Sequence, residues 1–156
     1  MDAIDQQILR LLMLDGRLSN SKLAKAIGLS ESATLERVRR LEASGVIQGY
    51  TVRVEPWQVG LNLELFMTFT LKDQHPREIA RFEAIIQDMD EVLTCAQTLG
   101  HADFLAHIAV KDIQGLSAFI NQKLLPLGCI ERMESMTVLN IMKRAHPPLS
   151  ALHINQ

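Results

Sequence analysis

The chain lacks most features that mark secreted, membrane-spanning or metal-binding proteins. Its 156 residues include two cysteines, Cys95 and Cys129, which form no C-x-x-C unit, so neither a zinc site nor a redox pair is indicated. Both stand in apolar runs, and we expect both in the core. No apolar run approaches the roughly 18 residues needed to cross a bilayer, and no signal peptide is recognisable at the N-terminus. We therefore expect a cytoplasmic protein.

Signatures of catalysis are also missing from the sequence. There is no Gly-rich phosphate loop, no G-x-S-x-G motif and no cysteine with a clear catalytic partner. The histidines show no metal-ligand spacing, and His101-x-Asp103 is at best a weak pair. We predict no metal, no cofactor and no enzymatic activity.

An overall basic excess, common in nucleic-acid-binding proteins, is absent because the formal net charge is −2. The charge is unevenly distributed, however. Residues 1–54 carry eight basic and six acidic side chains, a net charge of +2, which leaves −4 for the remainder. Only the first part is therefore expected to meet a polyanion.

Apolar residues in the first 45 positions recur at the spacing of three short helices. Ser19 and Ser30 are suitable N-caps for the second and third helices, and Gly28 separates these two. Residues 46–54 then alternate and are rich in β-branched side chains, which predicts a strand or tight hairpin. Three helices followed by a β wing indicate a winged helix-turn-helix. The third helix is expected to turn Thr34, Val38 and Leu41 towards the core.

After the Pro- and Gly-containing segment 55–60 the period changes to alternating strands and amphipathic helices. The predicted order is βαββαβ, with strands at 63–71, 92–99, 103–110 and 129–142 and helices at 76–89 and 113–125. The fold class is therefore α+β, a winged helix-turn-helix followed by a ferredoxin-like (RAM/ACT-like) domain. We predict domains at 1–54 and 63–145, a linker at 55–62 and a tail at 146–156.

The predicted sheet carries large apolar side chains on both faces, although its helices cover only one. Residues 64–69 alternate in a way that leaves an apolar group on the uncovered side. Exposed patches of this kind usually mark association surfaces, and two-fold pairing is the commonest oligomer geometry. We expect a homodimer.

Two segments closely resemble the DNA-binding half of the Lrp/AsnC (feast/famine) transcription regulators. They are Leu23–Ser30, with the sequence LAKAIGLS, and Leu35–Tyr50, with the sequence LERVRRLEASGVIQGY. The resemblance continues through the βαββαβ half to about Ala145. It implies a regulator that binds double-stranded DNA, forms dimers through the C-terminal sheet, assembles further into tetramers or octamers, and binds an amino acid or related metabolite between dimers.

The third helix is the one that enters the major groove in such a motif. Its outward and leading residues are the DNA-binding candidates, and arginine there can fork to guanine or clamp phosphate. The alternative is that this charge run is only a solvated, salt-bridged helix face. The candidates are Ser30, Glu31, Ser32, Ala33, Glu36, Arg37, Arg39 and Arg40.

The resemblance also implies an effector-binding loop after the strand at 92–99. Asp103 is a candidate acceptor for an α-ammonium group, and Gly100 would let the backbone approach a ligand. His101 and Ala102 stand where the family usually has an acidic and an aromatic residue, which argues against simply carrying over leucine as the effector. The effector-binding candidates are Leu99, Gly100, His101, Ala102, Asp103 and Phe104, joined across a dimer interface by Met133, Ser135 and Thr137.

The same fold is compatible with two other functions. Siroheme decarboxylases resemble the same family, but they would need a basic cluster for a polycarboxylate, which the second half does not visibly provide. A metabolite-binding or assembly module that has lost DNA binding is the other alternative, and the intact Arg39 and Arg40 argue against it. We expect a ligand-responsive DNA-binding regulator.

Overall fold

The structure, a computed structural model, describes residues 1–142. It separates into two compact units, Met1–Arg53 and Val54–Ile141. The predicted tail at 146–156 and the end of the predicted second domain lie outside the described residues. Within the described part of the chain, no helix is long and apolar enough to span a bilayer.

The first unit contains three helices: α1 (Ala3–Leu14), α2 (Asn20–Ile27) and α3 (Glu31–Ala43). Both predicted serine caps are confirmed, because Ser19 Oγ accepts the Lys22 N–H and Ser30 Oγ accepts the Ala33 N–H, each at 3.3 Å. Gly28 ends α2 with a φ of 72°, a left-handed conformation that a Cβ would strain.

These helices pack around a small core of Ile8, Leu9, Leu23 and Leu41. Thr34 and Leu41 of α3 are buried, and Val38 packs against the same cluster. The predicted inward face of α3 is therefore confirmed.

The predicted β wing is wrong for the chain as described. Residues 46–54 form no strand, and Val46, Val52 and Val54 are exposed. Ile47 instead turns back, donating its N–H to the Leu41 carbonyl and packing on the core. Alternation favours an extended backbone, but a strand also needs a neighbouring strand to hydrogen-bond with, and this segment has none in residues 1–142.

The second unit is the predicted βαββαβ fold, with its antiparallel sheet in the order β2-β3-β1-β4. A 3-10 turn at Pro56–Val59 precedes it. The elements are β1 (Leu63–Leu71), α4 (Pro76–Gln87), β2 (Val92–Gln97), β3 (Phe104–Val110), α5 (Ile113–Phe119) and β4 (Ile130–Thr137).

The predicted helix at 113–125 is only partly α-helical. After α5 the chain widens into a π turn at Ile120–Leu124 and tightens into a 3-10 turn at Leu125–Leu127. Pro126 lacks an N–H and its ring clashes with the preceding turn, so a regular helix cannot continue through it. The last strand also ends at Thr137, five residues earlier than predicted.

Helices α4 and α5 cover one face of the sheet. Leu65, Met67, Phe69 and Leu71 alternate onto that side of β1 and join the helix residues in the main core. The expectation that both cysteines are buried is wrong for Cys95, which is exposed on the edge strand β2, whereas Cys129 is half-buried against the core.

Candidate functional site

The solvent face of α3 carries a stripe of polar side chains one helical turn apart. Ser32, Glu36 and Arg39 are all exposed, on the side opposite the buried Thr34 and Leu41. Residues at these spacings share one face of a helix. The arrangement exposes a carboxylate, a guanidinium and a hydroxyl on one side of the helix.

The beginning of α3 is fixed by local hydrogen bonds. The Ser30 and Ser32 hydroxyls lie 3.2 Å apart, and Thr34 Oγ1 donates to the Ser30 carbonyl at 2.9 Å. Asn20 Nδ2 donates to the Glu31 carbonyl at 2.8 Å and so ties α3 to α2. Glu31 is exposed and Ala33 is half-buried at this end, so the predicted leading residues stand together at the beginning of α3.

Two predicted DNA-binding arginines are instead paired within the chain. Arg37 Nη1 lies 2.6 Å from Asp2 Oδ2 and 2.8 Å from Asp5 Oδ1, and its side chain is only 24% exposed. Arg40 Nη2 lies 3.0 Å from each Asp5 oxygen, although the Arg40 side chain is 62% exposed. These four residues, which we call the acid–arginine network, attach α3 to the beginning of α1.

The network changes the ionisation of its members. The Asp5 N–H bond to the Asp2 carboxylate, followed by the Arg37 bond, lowers the pKa of Asp2 to about 2. Burial acts to raise the pKa of Asp5, but the Asp2 N–H and Arg37 outweigh it, so the pKa is lowered. Both carboxylates also raise the pKa of Arg37. Asp2, Asp5 and Arg37 are therefore charged at neutral pH.

Sequence reasoning missed the acidic half of this network and the cations beside α3. Asp2 caps α1 through a reciprocal capping box with Asp5, a signal visible in the sequence as two aspartates three residues apart. Lys22 and Lys25 lie exposed on α2. In a helix-turn-helix the first helix of the pair crosses the nucleic-acid backbone, so these lysines are additional phosphate-contact candidates.

The loop at residues 98–103 connects β2 to β3 and contains the predicted effector-binding residues 99–103, while Phe104, the last of that set, begins β3. Its two ends are joined by the Thr98 N–H donating to the Asp103 carbonyl at 2.8 Å and by Thr98 Oγ1 donating to the Ala102 carbonyl at 2.6 Å. Arg132 of β4 donates to the His101 carbonyl at 3.2 Å. The loop is therefore a defined turn, and it presents Leu99 as a fully exposed side chain.

Asp103 is the best-anchored residue of this loop. Its Oδ2 accepts the Leu71 N–H at 2.8 Å, and its Oδ1 accepts Gln74 Nε2 at 2.9 Å. Phe104, which follows it, is buried in the main core. Asp103 thus holds the loop between β2 and β3 to the end of β1. Among residues 1–142, no atom lies within 4 Å of where a Cβ on Gly100 would stand, so packing against these residues does not require glycine there.

The three β4 candidates do not all lie near this loop within one chain. Met133 pairs with Phe69 and packs against the main core. Ser135 and Thr137 are exposed on the same side of the strand, and Thr137 pairs with Leu65, four residues from Phe69 along β1. At about 3.3 Å per residue that is roughly 13 Å further from the loop. Residues 1–142 of a single copy do not bring the whole set together.

A shallow surface pocket of about 340 Å³ contains none of the predicted residues. Its cations are already engaged, because Lys72 Nζ donates to the Gly128 carbonyl at 2.8 Å and Arg81 lies 3.4 Å from Glu78. The lining residues are Lys72, Asp73, Glu78, Arg81, Leu127, Gly128 and Cys129.

Known proteins match both units. The family model described as the AsnC-type helix-turn-helix domain matches residues 1–42, and that of the Lrp/AsnC ligand binding domain matches residues 64–148. The Bkd operon transcriptional regulator of Pseudomonas aeruginosa is 39% identical over 96% of this chain and 98% of its own length. The leucine-responsive regulatory protein of Escherichia coli is 34% identical over 94% of this chain and 89% of its own length.

Solved structures agree with these matches. A transcriptional regulator from Neisseria meningitidis in complex with L-Met has a TM-score of 0.90 at 29% identity, covering 98% of this chain and 99% of that one. Escherichia coli AsnC has a TM-score of 0.85 at 26% identity, covering 94% and 97%. The two units together define a transcription regulator with a helix-turn-helix and a ligand-binding domain. The chain belongs to the Lrp/AsnC family.

Proposed function

We propose that this regulator contacts DNA through the solvent face of α3, with Arg39 as its principal cation. The observation that carries the proposal is the exposed stripe of Ser32, Glu36 and Arg39 on the second helix of the helix-turn-helix. Ser30, Glu31 and Ala33 stand at the end of α3 that approaches base edges in such motifs. Lys22 and Lys25 of α2 supply phosphate contacts.

Arg37 and Arg40 have a different role in this proposal. Their guanidinium groups are engaged by Asp2 and Asp5, so they position α3 and are not its main DNA contacts. Arg40 stays more accessible than Arg37, and its free nitrogens can still reach a phosphate.

The test compares binding of Arg39→Ala and wild type to a mixed-sequence DNA duplex as a function of salt concentration. Loss of one phosphate contact reduces the slope of log affinity against log salt by about 1, whereas loss of a base contact lowers preference for the operator. Arg77→Ala, an exposed arginine on α4, is the matched control. Equal DNA affinity of Arg39→Ala and Arg77→Ala would contradict the proposal that the solvent face of α3 contacts DNA.

For the ligand-binding domain, we propose an amino acid as the effector. The support is the family match over residues 64–148 and the L-Met complex of the Neisseria meningitidis regulator. The proposed site combines Leu99–Phe104 of one copy with Met133, Ser135 and Thr137 of another. Each Asp103 oxygen keeps a further lone pair beyond its present hydrogen bond, so this carboxylate can also accept from an ammonium group.

A thermal-shift screen against the twenty amino acids tests this site. A ligand present at about a hundred times its dissociation constant stabilises the folded protein by about 2.7 kcal/mol, a shift of several degrees. Asp103→Asn removes the charge but keeps an acceptor for Leu71, and Gln74→Ala removes one anchor but keeps the charge. We expect Asp103→Asn to abolish the shift and Gln74→Ala to retain it. Absence of any shift in the wild type would contradict an amino-acid effector.

We further propose that two copies associate through the sheet face that α4 and α5 leave uncovered. Phe66, Leu105 and Met136 alternate onto this face, and Met136 is 56% exposed. Segment 50–54, which alternates like a strand but pairs with no strand among residues 1–142, is proposed as a second contact between copies. Sedimentation of the full chain tests for a dimer and for larger tetramers or octamers. Met136→Glu should weaken the dimer, while Glu131→Gln, at an exposed position of the same strand, should not.

The proposed setting follows from these roles. A DNA-binding regulator of this kind acts in the cytoplasm without a membrane partner, and we propose no catalytic activity for it. Incubation of the purified protein with siroheme followed by mass spectrometry tests the enzymatic alternative, and decarboxylated product would contradict our proposal.

A further inference from the structure

A guanidinium group from β4 reaches the loop that carries the effector-binding candidates. Arg132 Nη2 donates to the His101 carbonyl at 3.2 Å, so this side chain extends from β4 to the turn between β2 and β3 within one copy of the chain. The Arg132 side chain is nevertheless 58% exposed. A positive charge therefore lies against the loop at residues 98–103 and is accessible to a ligand there.

The register of the sheet brings Arg132 to the same end of the sheet as Asp103. Arg132 pairs with Thr70 of β1, and the preceding β1 residue, Phe69, pairs with Phe104 of β3. Asp103 comes immediately before Phe104, so Arg132, Thr70 and Asp103 follow one another across three neighbouring chain segments. At about 4.8 Å between strands, the backbones of Arg132 and Asp103 are roughly 10 Å apart. The long arginine side chain covers part of this distance, because it ends at the loop.

An α-amino acid presents two opposite charges on one carbon atom. Asp103 is the candidate acceptor for the α-ammonium group, but the α-carboxylate also needs donors. Residues 98–104 contain no lysine or arginine, and their ionisable side chains are those of His101 and Asp103. Arg132 is thus a cation that the fold adds to this loop from about thirty positions further along the chain.

The Arg132 guanidinium keeps donors for a ligand. A guanidinium carries five N–H donors in a planar fork, which matches the two oxygens of a carboxylate. Among residues 1–142, Arg132 makes one hydrogen bond, to His101. Its Nε lies 3.7 Å from Glu134 Oε1, too far for a hydrogen bond, and both side chains are more than half exposed. Water screens such a pair and it contributes little, so a ligand carboxylate can take the place of Glu134.

We propose that Arg132 binds the α-carboxylate of the effector while Asp103 of the same copy binds its α-ammonium group. The inference rests on the amino-acid effector proposed above and adds the residue that makes the site select a free carboxylate. An amino acid whose carboxylate is blocked as an amide lacks the negative charge that Arg132 recognises, so it binds less tightly. Arg132 and Met136 stand near opposite ends of β4, so this contact is separate from the proposed dimer contact.

The test compares the twenty amino acids with their α-carboxamides by isothermal titration calorimetry on the full chain. At about pH 6 both forms carry an α-ammonium group, because an α-amino group titrates at about pH 8. The carboxamide keeps the shape of the carboxylate and loses its charge. For each amino acid that binds the wild type, we expect the carboxamide to bind at least about tenfold more weakly, as for the loss of a hydrogen bond to a charged group.

Arg132→Gln separates recognition of the carboxylate from support of the loop. If Arg132 binds the carboxylate, this variant should bind an amino acid and its carboxamide with dissociation constants within about threefold of each other. If Arg132 only supports the loop through His101, both ligands should weaken together and their ratio should stay as in the wild type. Arg81→Gln, at an arginine of α4 that is 57% exposed, is the matched control and should keep the wild-type ratio.

Glu134→Gln provides a second, independent variant should Arg132→Gln bind neither ligand. It removes the carboxylate beside Arg132, so we expect the preference for the amino acid over its carboxamide to increase, and an unchanged or smaller preference would contradict the assignment. A wild type that binds both forms equally, or a preference that persists in Arg132→Gln, would overturn this inference and leave the amino-acid effector standing. Absence of binding by all twenty amino acids would overturn both. Thermal unfolding without ligand establishes that each variant is folded.

Discussion

The two units use charge and apolar surface in opposite ways. In Met1–Arg53 a nearly buried carboxylate, Asp5, joins two helices through arginines, and the apolar core is small. In Val54–Ile141 the interior is aromatic and aliphatic, and the ionisable pair Glu64–His107 lies on the face away from the helices. Ion pairs therefore attach α3 to the beginning of α1, while the second unit is held by apolar packing. The two units should respond differently to mutation and to pH.

The largest effect is expected from the aromatic core of the second unit. Phe82 is fully buried and packs against Phe69 at 5.5 Å and Phe104 at 4.8 Å between ring centroids. Phe82→Ala should cost about 3–5 kcal/mol of unfolding free energy, because it leaves a cavity. Urea denaturation measures the loss, and hydrogen exchange should locate it in residues 54–141. A change below about 0.5 kcal/mol, as expected for the exposed Trp57→Ala, would contradict this account.

A smaller loss, about 2 kcal/mol, is expected for Asp5→Asn in the first unit. The amide keeps the shape of the side chain but leaves Arg37 with one partner fewer and removes the only carboxylate that contacts Arg40 in the acid–arginine network. Chemical denaturation measures the stability, and the DNA-binding assay should show weaker binding through a misplaced α3. Glu36→Gln, at an exposed position of α3, is the control for stability. Equal losses in the two variants would show that the network does not position α3.

Acid should weaken the first unit by less than the Asp5 substitution does. The pKa of Asp2 is lowered to about 2 and that of Asp5 is also lowered, so their contribution is present above the unfolded value, about 3.9, and is lost as pH falls through the folded values. Denaturation followed from pH 4 to pH 2 should show this decline. Asp2→Asn should make it shallower, and an unchanged profile in that variant would contradict the assignment.

The smallest effect concerns Tyr50, the one tyrosine of the chain. Burial, with the Tyr50 hydroxyl donating to Glu42 at 3.0 Å, raises its pKa. The stability it contributes is present below about pH 10 and is lost as pH rises through the higher folded value. Ultraviolet absorbance should report a late ionisation, and Tyr50→Phe should cost less than about 1 kcal/mol. If Tyr50 ionised at the pKa of free tyrosine, its hydrogen bond to Glu42 would not contribute to stability.

Much of the helix-turn-helix could be predicted because its signals are local. Ser19, Gly28 and Ser30 act within one turn of where they stand, and the inward face of α3 follows from helical period alone. The prediction of a β wing was wrong for the opposite reason. Alternation in residues 46–54 favours an extended backbone, but a strand forms only where another strand pairs with it. The π turn after α5 depends on how Pro126 is accommodated, which the apolar period does not encode.

The sequence by itself determined the class of this protein: three helices, two of them with recognisable serine caps, the βαββαβ order, and the motif around Leu23–Ser30 that carries the family resemblance. Periodicity and capping depend on neighbours a few residues away, so they can be read along the chain. Only the tertiary structure decided which charges are free. Arg37 and Arg39 look equivalent in the sequence. In the structure, however, Arg37 pairs with Asp2 and Asp5, which lie more than thirty positions away along the chain, whereas Arg39 is exposed. Asp103 likewise is committed to Leu71 and Gln74 by strand pairing, because a carboxylate binds whichever donors the fold brings to it.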